Sequence, residues 1–467
     1  MVMRLWLERF LDRIADRGRE FLHLRADEAA VPRLGALCRD LLSGLGEASG
    51  TALSREVLRA YEHMDDNGRR AFFEMLAADF GPDPAAIRAA TEAFLRANDA
   101  ATLHALTAAV EPPRQELFRR INMAPKGTAA LVAMRAELLG LLAQHPPLRS
   151  VDADMKHLFG SWFNRGFLRL QRIDWHSPAD LLEKLIRYDM VQTIRSWDDL
   201  RRRLAADRRC FAFFHPALPD EPLIFLEVAL VHGMADKVTP LLDDQAPVLR
   251  ARDADTAMFI SINSTQPGLR GLSFGNLLIK QVAEDLHQEL PHLKTFATLS
   301  PLPGFAATLR AAVNDTHRDF GRARLEALLQ EYAEPLRQAS GGEPPVEALL
   351  TLLARADAPR AVLTAPLERL VLAYLSLLPR ESRVFDPVAR FHLANGARLE
   401  RINVFADESA ARREESFGVM VNYLYVPDEV IANHEGFVGS GHVAMSRALQ
   451  REQKKLATIW DAVAKPA

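Results

Sequence analysis

The residues with the clearest chemical potential lie near the middle of the chain. Residues 258–280 have the sequence MFISINSTQPGLRGLSFGNLLIK, in which an apolar run leads into a loop that contains Gly268, Gly271 and Gly275. Apolar residues then recur every four positions, which predicts an amphipathic helix after the loop. Glycines let the backbone approach a ligand, and a helix amino terminus offers free N–H groups and partial positive charge. The segment therefore suits a pyrophosphate.

Arg270 lies within the same loop and can add a charged hydrogen bond to a phosphate. The spacing alone fits an ordinary glycine-rich turn at the start of a helix equally well. The phosphate site is therefore one of two interpretations that the residues support.

Two further segments present single polar side chains among apolar ones. Ser300 lies in TLSPLPGF, where two prolines and a glycine stiffen a turn that follows an apolar run. His392 lies in DPVARFHLANG, directly before another apolar run. A serine in a proline-rich turn and a satisfied core histidine are the more common explanations, and the latter applies also to His215, His232 and His434. Composition and spacing alone indicate a CoA- or nucleotide-binding α/β domain.

These segments belong to a region of mixed pattern that begins near residue 160. Short apolar runs bounded by charge or proline predict buried strands at 209–215, 222–231, 256–262, 295–299, 398–405 and 417–425. Helices are predicted between them, notably at 273–290, 304–312 and 367–378. The stretch at 339–345, ASGGEPP, predicts an exposed loop inside this region.

The first 150 or so residues instead show helical periodicity throughout. Asp83 followed by Pro84 predicts a helix start, with the aspartate as the cap and proline at the first helical position. No strand pattern interrupts this part, so it predicts an all-helical domain. Apolar residues recur with helical spacing at 5–14, 31–45, 69–80, 85–95 and 128–142.

The bulk composition excludes several classes of protein. The 467 residues include 58 Lys+Arg and 61 Asp+Glu, a net charge of −3, and no basic stripe with aromatics, so nucleic acid is not an expected partner. Cys38 and Cys210 lack metal-ligand spacing, and two buried free thiols are expected rather than a disulfide or a zinc site. No signal peptide or membrane span is expected, which makes the cytoplasm the default location.

Six segments, in order, resemble the malonyl-CoA decarboxylase family. They cover most of residues 155–437, and each is weak by itself, whereas six in sequence are specific. The segments are WHSP at 175–178, HPALPDEPL at 215–223, STQPGLRG at 264–271, LSPLPGF at 299–305, DPVARFHLANGA at 386–397 and GVMVNYLY at 418–425.

The resemblance implies an α+β protein with an all-helical N-terminal domain at 1–158 and a GNAT-like (acetyltransferase-fold) α/β catalytic domain at 159–467. It also implies the site residues. The catalytic serine and histidine of the family map onto Ser300 and His392, and Tyr425, which matches a tyrosine near that site, is expected to bind and orient the substrate. The malonyl-CoA-binding segment maps onto Arg270, Gly271, Leu272, Ser273, Phe274, Gly275 and Asn276.

The implied reaction turns malonyl-CoA into acetyl-CoA and carbon dioxide through a thioester enolate, with His392 as proton donor and Ser300 as its partner. No metal or other cofactor is expected, because the thioester itself accepts the electrons. Acyl transfer and thioester hydrolysis are the rival activities, and a non-catalytic helical interaction module is a third alternative. By analogy with the family, a homo-oligomer, specifically a tetramer, is expected.

Overall fold

The computed structural model describes residues 30–43, 47–189, 191–272, 278–355, 357–378 and 386–464. The chain divides into two compact units. The first contains the described residues up to Arg169 together with those in 213–224 and 264–274, and the second contains the rest. Within the described residues, no helix combines the length and the apolar character that a membrane crossing requires. The predicted helix at 5–14 lies outside the described residues.

Helices make up the amino-terminal part of the first unit. They are α1 (Ala30–Leu42), α2 (Glu47–Glu62), α3 (Asp66–Asp79), α4 (Pro84–Ala97), α5 (Ala100–Val110), α6 (Pro113–Asn122), α7 (Gly127–Leu141) and α8 (Arg149–Trp162). The predicted start of α4 is confirmed, since the Asp83 side chain accepts the Ala85 N–H at 2.8 Å and Pro84 is the first helical residue.

The second unit is built on a mixed sheet. Its order is β1-β2-β3-β4-β5-β8-β6, and β7 pairs with β8. The strands are β1 (Arg169–Ile173), β2 (Arg208–His215), β3 (Leu218–Val231), β4 (Thr256–Ser264), β5 (Thr295–Thr298), β6 (Ser300–Pro301), β7 (Arg398–Asn403) and β8 (Met420–Leu424). The predicted α+β class, with a helical region followed by a mixed-sheet region, is confirmed. The domain boundary after residue 158 stays a prediction.

Strand β8 joins the elements that matter for the site. It pairs antiparallel with β5, β6 and β7, while β4 and β5 pair in parallel with Thr256 opposite Thr295. The short strands β5 and β6 lie on either side of Leu299 in the chain, and both pair with β8. A cluster of buried apolar side chains packs here, including Met258, Ala297, Leu299 and Met420.

Helices separate and flank these strands. They are α9 (Ala179–Tyr188), α10 (Trp197–Arg203), α11 (Thr239–Leu242), α12 (Leu278–Glu289), α13 (Phe305–Val313), α14 (Arg322–Leu329), α15 (Ala333–Ser340), α16 (Pro345–Ala354), α17 (Arg360–Ser376), α18 (Pro387–Ala394), α19 (Ala410–Ser416), α20 (Val430–Ser440) and α21 (Arg447–Ala464). The loop expected at 339–345 is confirmed between α15 and α16, where Gly341 and Gly342 have φ of +86° and +110°.

The six predicted strands are confirmed within a few residues of their ends, but β1 and β6 were not predicted. β1 has the sequence RLQRI and is mostly exposed, so it lacks an apolar run. β6 has two residues, the second of them Pro301, and such a short strand gives no periodic signal. The cysteine prediction is confirmed as well, because Cys38 and Cys210 are both free and buried.

Helix α18 ends in a Schellman motif that depends on Gly396. The Ala397 N–H bonds to the carbonyl of His392 at 3.1 Å, and the Gly396 N–H bonds to that of Leu393 at 3.0 Å. Gly396 has a φ of +79°, and a Cβ there would overlap the carbonyl oxygen of Val430. Only glycine fits this position without displacement.

We expect Gly396→Ala to lower the free energy of unfolding by about 2 kcal/mol or more, because a left-handed residue and a steric overlap are both imposed. Urea unfolding followed by circular dichroism measures the change. Gly439→Ala is the matched control, since a Cβ at Gly439 in α20 has no heavy atom within 4 Å. Equal stabilities of the two variants would contradict the requirement for glycine at position 396.

Candidate active site

Ser300 and His392 lie side by side in the second unit. Ser300 Oγ is 2.9 Å from His392 Nε2, although 92 residues separate them in the chain. Both are buried, with 6% and 3% of their surfaces exposed. Spacing alone favoured an ordinary turn serine and an ordinary core histidine, whereas the resemblance implied a catalytic pair. In the structure, the two side chains are hydrogen-bonded to each other.

Backbone pairing fixes the serine. In β6, Ser300 is opposite Val421 of β8 and Pro301 is opposite Met420. Proline lacks an N–H and fixes φ, so the chain leaves the sheet at once and enters the turn that precedes α13. The short strand therefore places the Ser300 hydroxyl at a sheet position with little freedom.

The cap of α18 connects the histidine helix to the serine turn. Asp386 Oδ1 accepts the N–H groups of Val388 and Ala389 at 2.9 and 3.1 Å, which fixes the start of the helix that bears His392. Asp386 Oδ2 accepts the N–H of Gly304 at 3.0 Å, in the turn after Ser300. One carboxylate thus holds the Ser300 turn and the His392 helix by their main chains.

Gly304 permits this contact because nothing larger fits there. A Cβ at this position would lie 2.6 Å from the Tyr374 hydroxyl and 3.5 Å from Asp386 Oδ2. The Tyr374 hydroxyl also approaches Asp386 Oδ2, at 3.4 Å. Burial raises the pKa of Asp386, while the N–H donors of Gly304, Ala389 and Val388 oppose that rise.

Two tyrosines from the β8 segment hold the imidazole. The Tyr425 hydroxyl is 2.8 Å from His392 Nδ1, so both ring nitrogens have a hydroxyl partner. The Tyr423 ring stacks on the imidazole, with centroids 4.6 Å apart and planes inclined by 22°. Tyr423 and Tyr425 are two positions apart and use different contacts to keep the ring in one orientation.

Burial determines the charge of this group. It lowers the pKa of His392 to about 3, so the imidazole is neutral near neutral pH. Burial also raises the pKa of Tyr423 and of Tyr425, so both phenols stay protonated. His392 was expected to be the proton donor, but its imidazole is neutral in the ligand-free protein.

Thr298 extends the chain of hydroxyl groups and was not identified from the sequence. Its Oγ1 is 2.9 Å from Ser300 Oγ, and the residue is fully buried. Asn422 donates to its carbonyl oxygen at 2.8 Å. A signal was present, because residues two apart in extended chain share a face, and Thr298 is two positions before Ser300.

The glycine loop lies in the first unit. Arg270, Gly271 and Leu272 are described, and Arg270 and Gly271 are exposed. Ser273, Phe274, Gly275 and Asn276 lie outside the described residues. Gly268 is buried, and a Cβ there would overlap the carbonyl oxygen of Val132, so this glycine allows contact with the protein itself rather than with a ligand.

Other candidate groups have structural partners. His215 Nδ1 accepts the Ala217 N–H at 3.1 Å, and His434 Nδ1 lies 2.7 Å from the carbonyl oxygen of Ala394. In the part of the chain that the structure describes, no group of three or more His, Cys, Asp and Glu side chains could hold a metal ion.

Comparison with protein families covers nearly the whole chain after residue 80. A sequence model described as the malonyl-CoA decarboxylase C-terminal domain matches residues 166–463, and one described as the N-terminal domain of the same family matches residues 80–163. The chain belongs to the malonyl-CoA decarboxylase family. The resemblance carried by the six segments is therefore confirmed.

Individual relatives agree with this assignment. Malonyl-CoA decarboxylase, mitochondrial, from Anser anser anser is 33% identical over 416 residues, which are 84% of this chain and 81% of the relative. The crystal structure of malonyl-CoA decarboxylase from Rhodopseudomonas palustris is 47% identical with a TM-score of 0.82, covering 91% of this chain and 100% of that one. The Agrobacterium vitis enzyme is 42% identical with a TM-score of 0.75, covering 90% and 99%.

The buried imidazole makes the stability of this family member depend on pH. A histidine in an unfolded chain titrates near 6.5, whereas burial lowers the pKa of His392 to about 3. The unfolded state therefore binds more protons than the native state between these values, and the free energy of unfolding falls as the pH decreases through this window.

We expect His392→Asn to lose less stability than the wild type between about pH 7 and about pH 4, because asparagine at this position takes up no proton in the unfolded state. Urea unfolding at each pH gives both slopes. His63→Asn, which replaces an exposed histidine, is the control and should keep the wild-type slope. If the free energy of unfolding of His392→Asn falls with pH as steeply as that of the wild type, the imidazole is not held neutral in the native state.

Proposed function

We propose that this chain decarboxylates malonyl-CoA to acetyl-CoA and carbon dioxide, with Ser300 and His392 as the catalytic pair. The observation that supports it most directly is the 2.9 Å hydrogen bond between Ser300 Oγ and His392 Nε2 in a buried setting. The family to which the chain belongs is named for this reaction.

The chemistry requires little more than orientation and one proton. When the C–C bond to the carboxylate breaks, its electron pair moves into the thioester and forms an enolate, and carbon dioxide leaves. The terminal carbon then takes up a proton to give the acetyl group. The protein must hold the carboxylate out of the thioester plane, stabilise the developing oxyanion and deliver that proton. The thioester is the electron acceptor, so no cofactor enters the proposal.

His392 supplies the proton. Its pKa is low in the free protein because burial penalises the imidazolium. Bound malonyl-CoA brings a carboxylate, and a nearby negative charge favours the protonated ring. Substrate binding therefore raises the pKa of the group that must act as acid. After protonating the enolate, the ring returns to its neutral state and regains a proton from solvent.

The hydroxyl groups around the ring have complementary roles in this proposal. Ser300 hydrogen-bonds His392 and, in the complex, the malonyl carboxylate, and Thr298 holds the serine hydroxyl at 2.9 Å. Tyr425 was expected to orient the substrate. Its hydroxyl is 2.8 Å from His392 Nδ1, which supports orientation of the imidazole as its main task.

We propose that the phosphate end of the substrate binds to the segment that the resemblance implies. Arg270, Gly271 and Leu272 begin it, and the rest follows at Ser273, Phe274, Gly275 and Asn276. Exposure of Arg270 and Gly271 supports access of a ligand to the first part of this segment.

Incubation with malonyl-CoA alone separates this function from its rivals. A decarboxylase releases carbon dioxide and acetyl-CoA without an acceptor, and in D₂O the acetyl methyl group gains one deuterium. Release of free CoA thiol without carbon dioxide would identify a thioesterase, and turnover only with an added amine an acyltransferase. No reaction under any of these conditions would favour a non-catalytic protein.

Removal of either catalytic group should lower turnover. We expect His392→Asn to reduce kcat by about 10²–10⁴-fold, the usual contribution of a general acid, and Ser300→Ala to reduce it within the same range. Initial rates of carbon dioxide release measure both. His63→Asn should keep wild-type kcat, and near-normal turnover of folded His392→Asn would remove the imidazole from the mechanism.

We also propose that the protein is a homo-oligomer, a tetramer by analogy with the family, and that α4 and α5 take part. These two helices pack on each other, and neither contains a buried residue. Leu95 and Leu103 expose 74% and 50% of their surfaces, and Val110 exposes 45%. A second copy of the chain is the partner we assign to this apolar hairpin.

We expect Leu95→Glu combined with Leu103→Glu to lower the mass in solution, because charge disfavours burial at such an interface. Light scattering coupled to gel filtration measures it. Val248→Glu is the control, since Val248 is an apolar residue with 51% of its surface exposed elsewhere in the chain. An unchanged mass in the double variant would exclude the hairpin from the interface.

We also propose that the protein is located in the cytoplasm. Fractionation of its native cells with antibody detection tests this location. The Anser anser anser relative is named as mitochondrial, so an organellar fraction is the alternative outcome.

A further inference from the structure

The glycine loop is supported by a helix of the amino-terminal region. Within the first unit, residues 267–270 contact α7, and Gly268 touches it so closely that a Cβ would overlap the Val132 carbonyl oxygen. Gly268 and Leu269 are buried, whereas Arg270 and Gly271 are exposed. The loop therefore has an inner side fixed on α7 and an outer side open to a ligand.

A buried arginine fixes the inner side. Arg135 of α7 has 1% of its surface exposed, and its Nη1 donates to the carbonyl oxygens of Gly268 at 2.6 Å and Arg270 at 3.0 Å. Its Nε donates to Asp152 Oδ1 at 2.7 Å, which balances the charge. Two carbonyls on either side of Leu269 are thus held by one planar group.

A lysine from the next helix lies at the outer side. Lys156 of α8 is exposed, and a Cβ on Gly271 would lie 3.5 Å from its Nζ. Gly271 has a φ of +79°, so a side chain is disfavoured there for conformational reasons as well. The lysine ammonium therefore lies next to the main chain of the loop at Gly271.

In the described part of the chain, neither Lys156 nor Arg270 forms an ion pair or a side-chain hydrogen bond, although several other arginines of the first unit pair with acids. Two unneutralised cations beside an exposed glycine favour an anion, and phosphate oxygens are the usual acceptors at such a place.

We propose that Lys156 of the helical region binds a phosphate group of the CoA substrate together with Arg270, and that Arg135 is a positioning residue for the loop. This inference rests on the proposed function, because it concerns how the same substrate is recognised. It gives the helical region a part in substrate binding in addition to self-association.

The test compares substrates with and without phosphates. We expect Lys156→Gln to raise KM for malonyl-CoA about tenfold, the scale of one charged hydrogen bond, with kcat unchanged. KM for malonyl-pantetheine, which lacks all phosphates, should stay at the wild-type value. Lys156→Arg should restore most of the affinity, and Lys237→Gln, an exposed lysine of the second unit, should change neither constant.

Malonyl-dephospho-CoA identifies the phosphate involved. If it shows the tenfold defect, Lys156 contacts the pyrophosphate; if the defect disappears, Lys156 contacts the ribose phosphate, and both results support the proposal. An unchanged KM for malonyl-CoA in Lys156→Gln, or an equal rise for malonyl-pantetheine, would overturn it.

The positioning role of Arg135 has its own readout. We expect Arg135→Met to raise KM for malonyl-CoA but not for malonyl-pantetheine, because the loop loses its carbonyl anchor while the Ser300 site is untouched. A general folding defect would change both substrates together, and Asp152→Asn provides a milder variant if Arg135→Met does not fold.

Calorimetric titration with CoA separates this inference from the proposed function. It needs no turnover, so loss of CoA affinity in Lys156→Gln would support the phosphate contact even if the wild type did not decarboxylate malonyl-CoA. Equal CoA affinity in wild type and Lys156→Gln would refute the contact even if decarboxylation were established.

Discussion

A single buried carboxylate holds the candidate active site together. Asp386 caps the helix that bears His392 with one oxygen and binds the turn after Ser300 with the other. Both contacts go to main-chain N–H groups, so they fix backbone positions rather than side-chain rotamers. The 2.9 Å distance between Ser300 and His392 follows from two backbone segments that share this acceptor. Without it, the helix that bears His392 would lose its cap, and the turn after Ser300 would lose its bond to that helix.

The groups around the imidazole are all neutral, and this is what allows them to be buried together. Thr298, Ser300, His392 and Tyr425 form a continuous series of hydrogen bonds of 2.8 to 2.9 Å. Neutral groups that satisfy one another cost far less to bury than an ion does. The series is therefore uncharged in the ligand-free protein, and in the proposed mechanism the charge that raises the pKa of His392 comes from the carboxylate of the substrate.

Sequence reasoning found the large elements because their signals are physical and local. Buried strands such as β2 and β4 are apolar runs, and the start of α4 is marked by Asp83 and Pro84, so each could be predicted. The pairing of Ser300 with His392 could not be predicted from spacing, since it depends on a sheet register and a helix cap 92 residues apart. Only the resemblance to a family identified that pair.

Other parts of the site left a weaker signal that could have been used. Thr298 with Ser300, and Tyr423 with Tyr425, are two positions apart in extended segments, which places each pair on one face. That period identifies neighbours of a suspected catalytic residue, but it does not say what they contact. The roles of Arg135 and Lys156 had no signal at all, because the loop lies more than a hundred residues after the helices that support it.

The manner in which Arg135 holds the glycine loop has a consequence for variation. Its bonds go to carbonyl oxygens, which every amino acid possesses, so the anchor does not depend on the exposed side chain at position 270. A substitution of Arg270 can therefore leave the path of the loop unchanged, whereas Gly268 is restricted by its contact with Val132 and Leu269 by its burial. In the proposed function, this arrangement lets the exposed residue of a ligand-binding loop vary while the main chain that carries it stays in place.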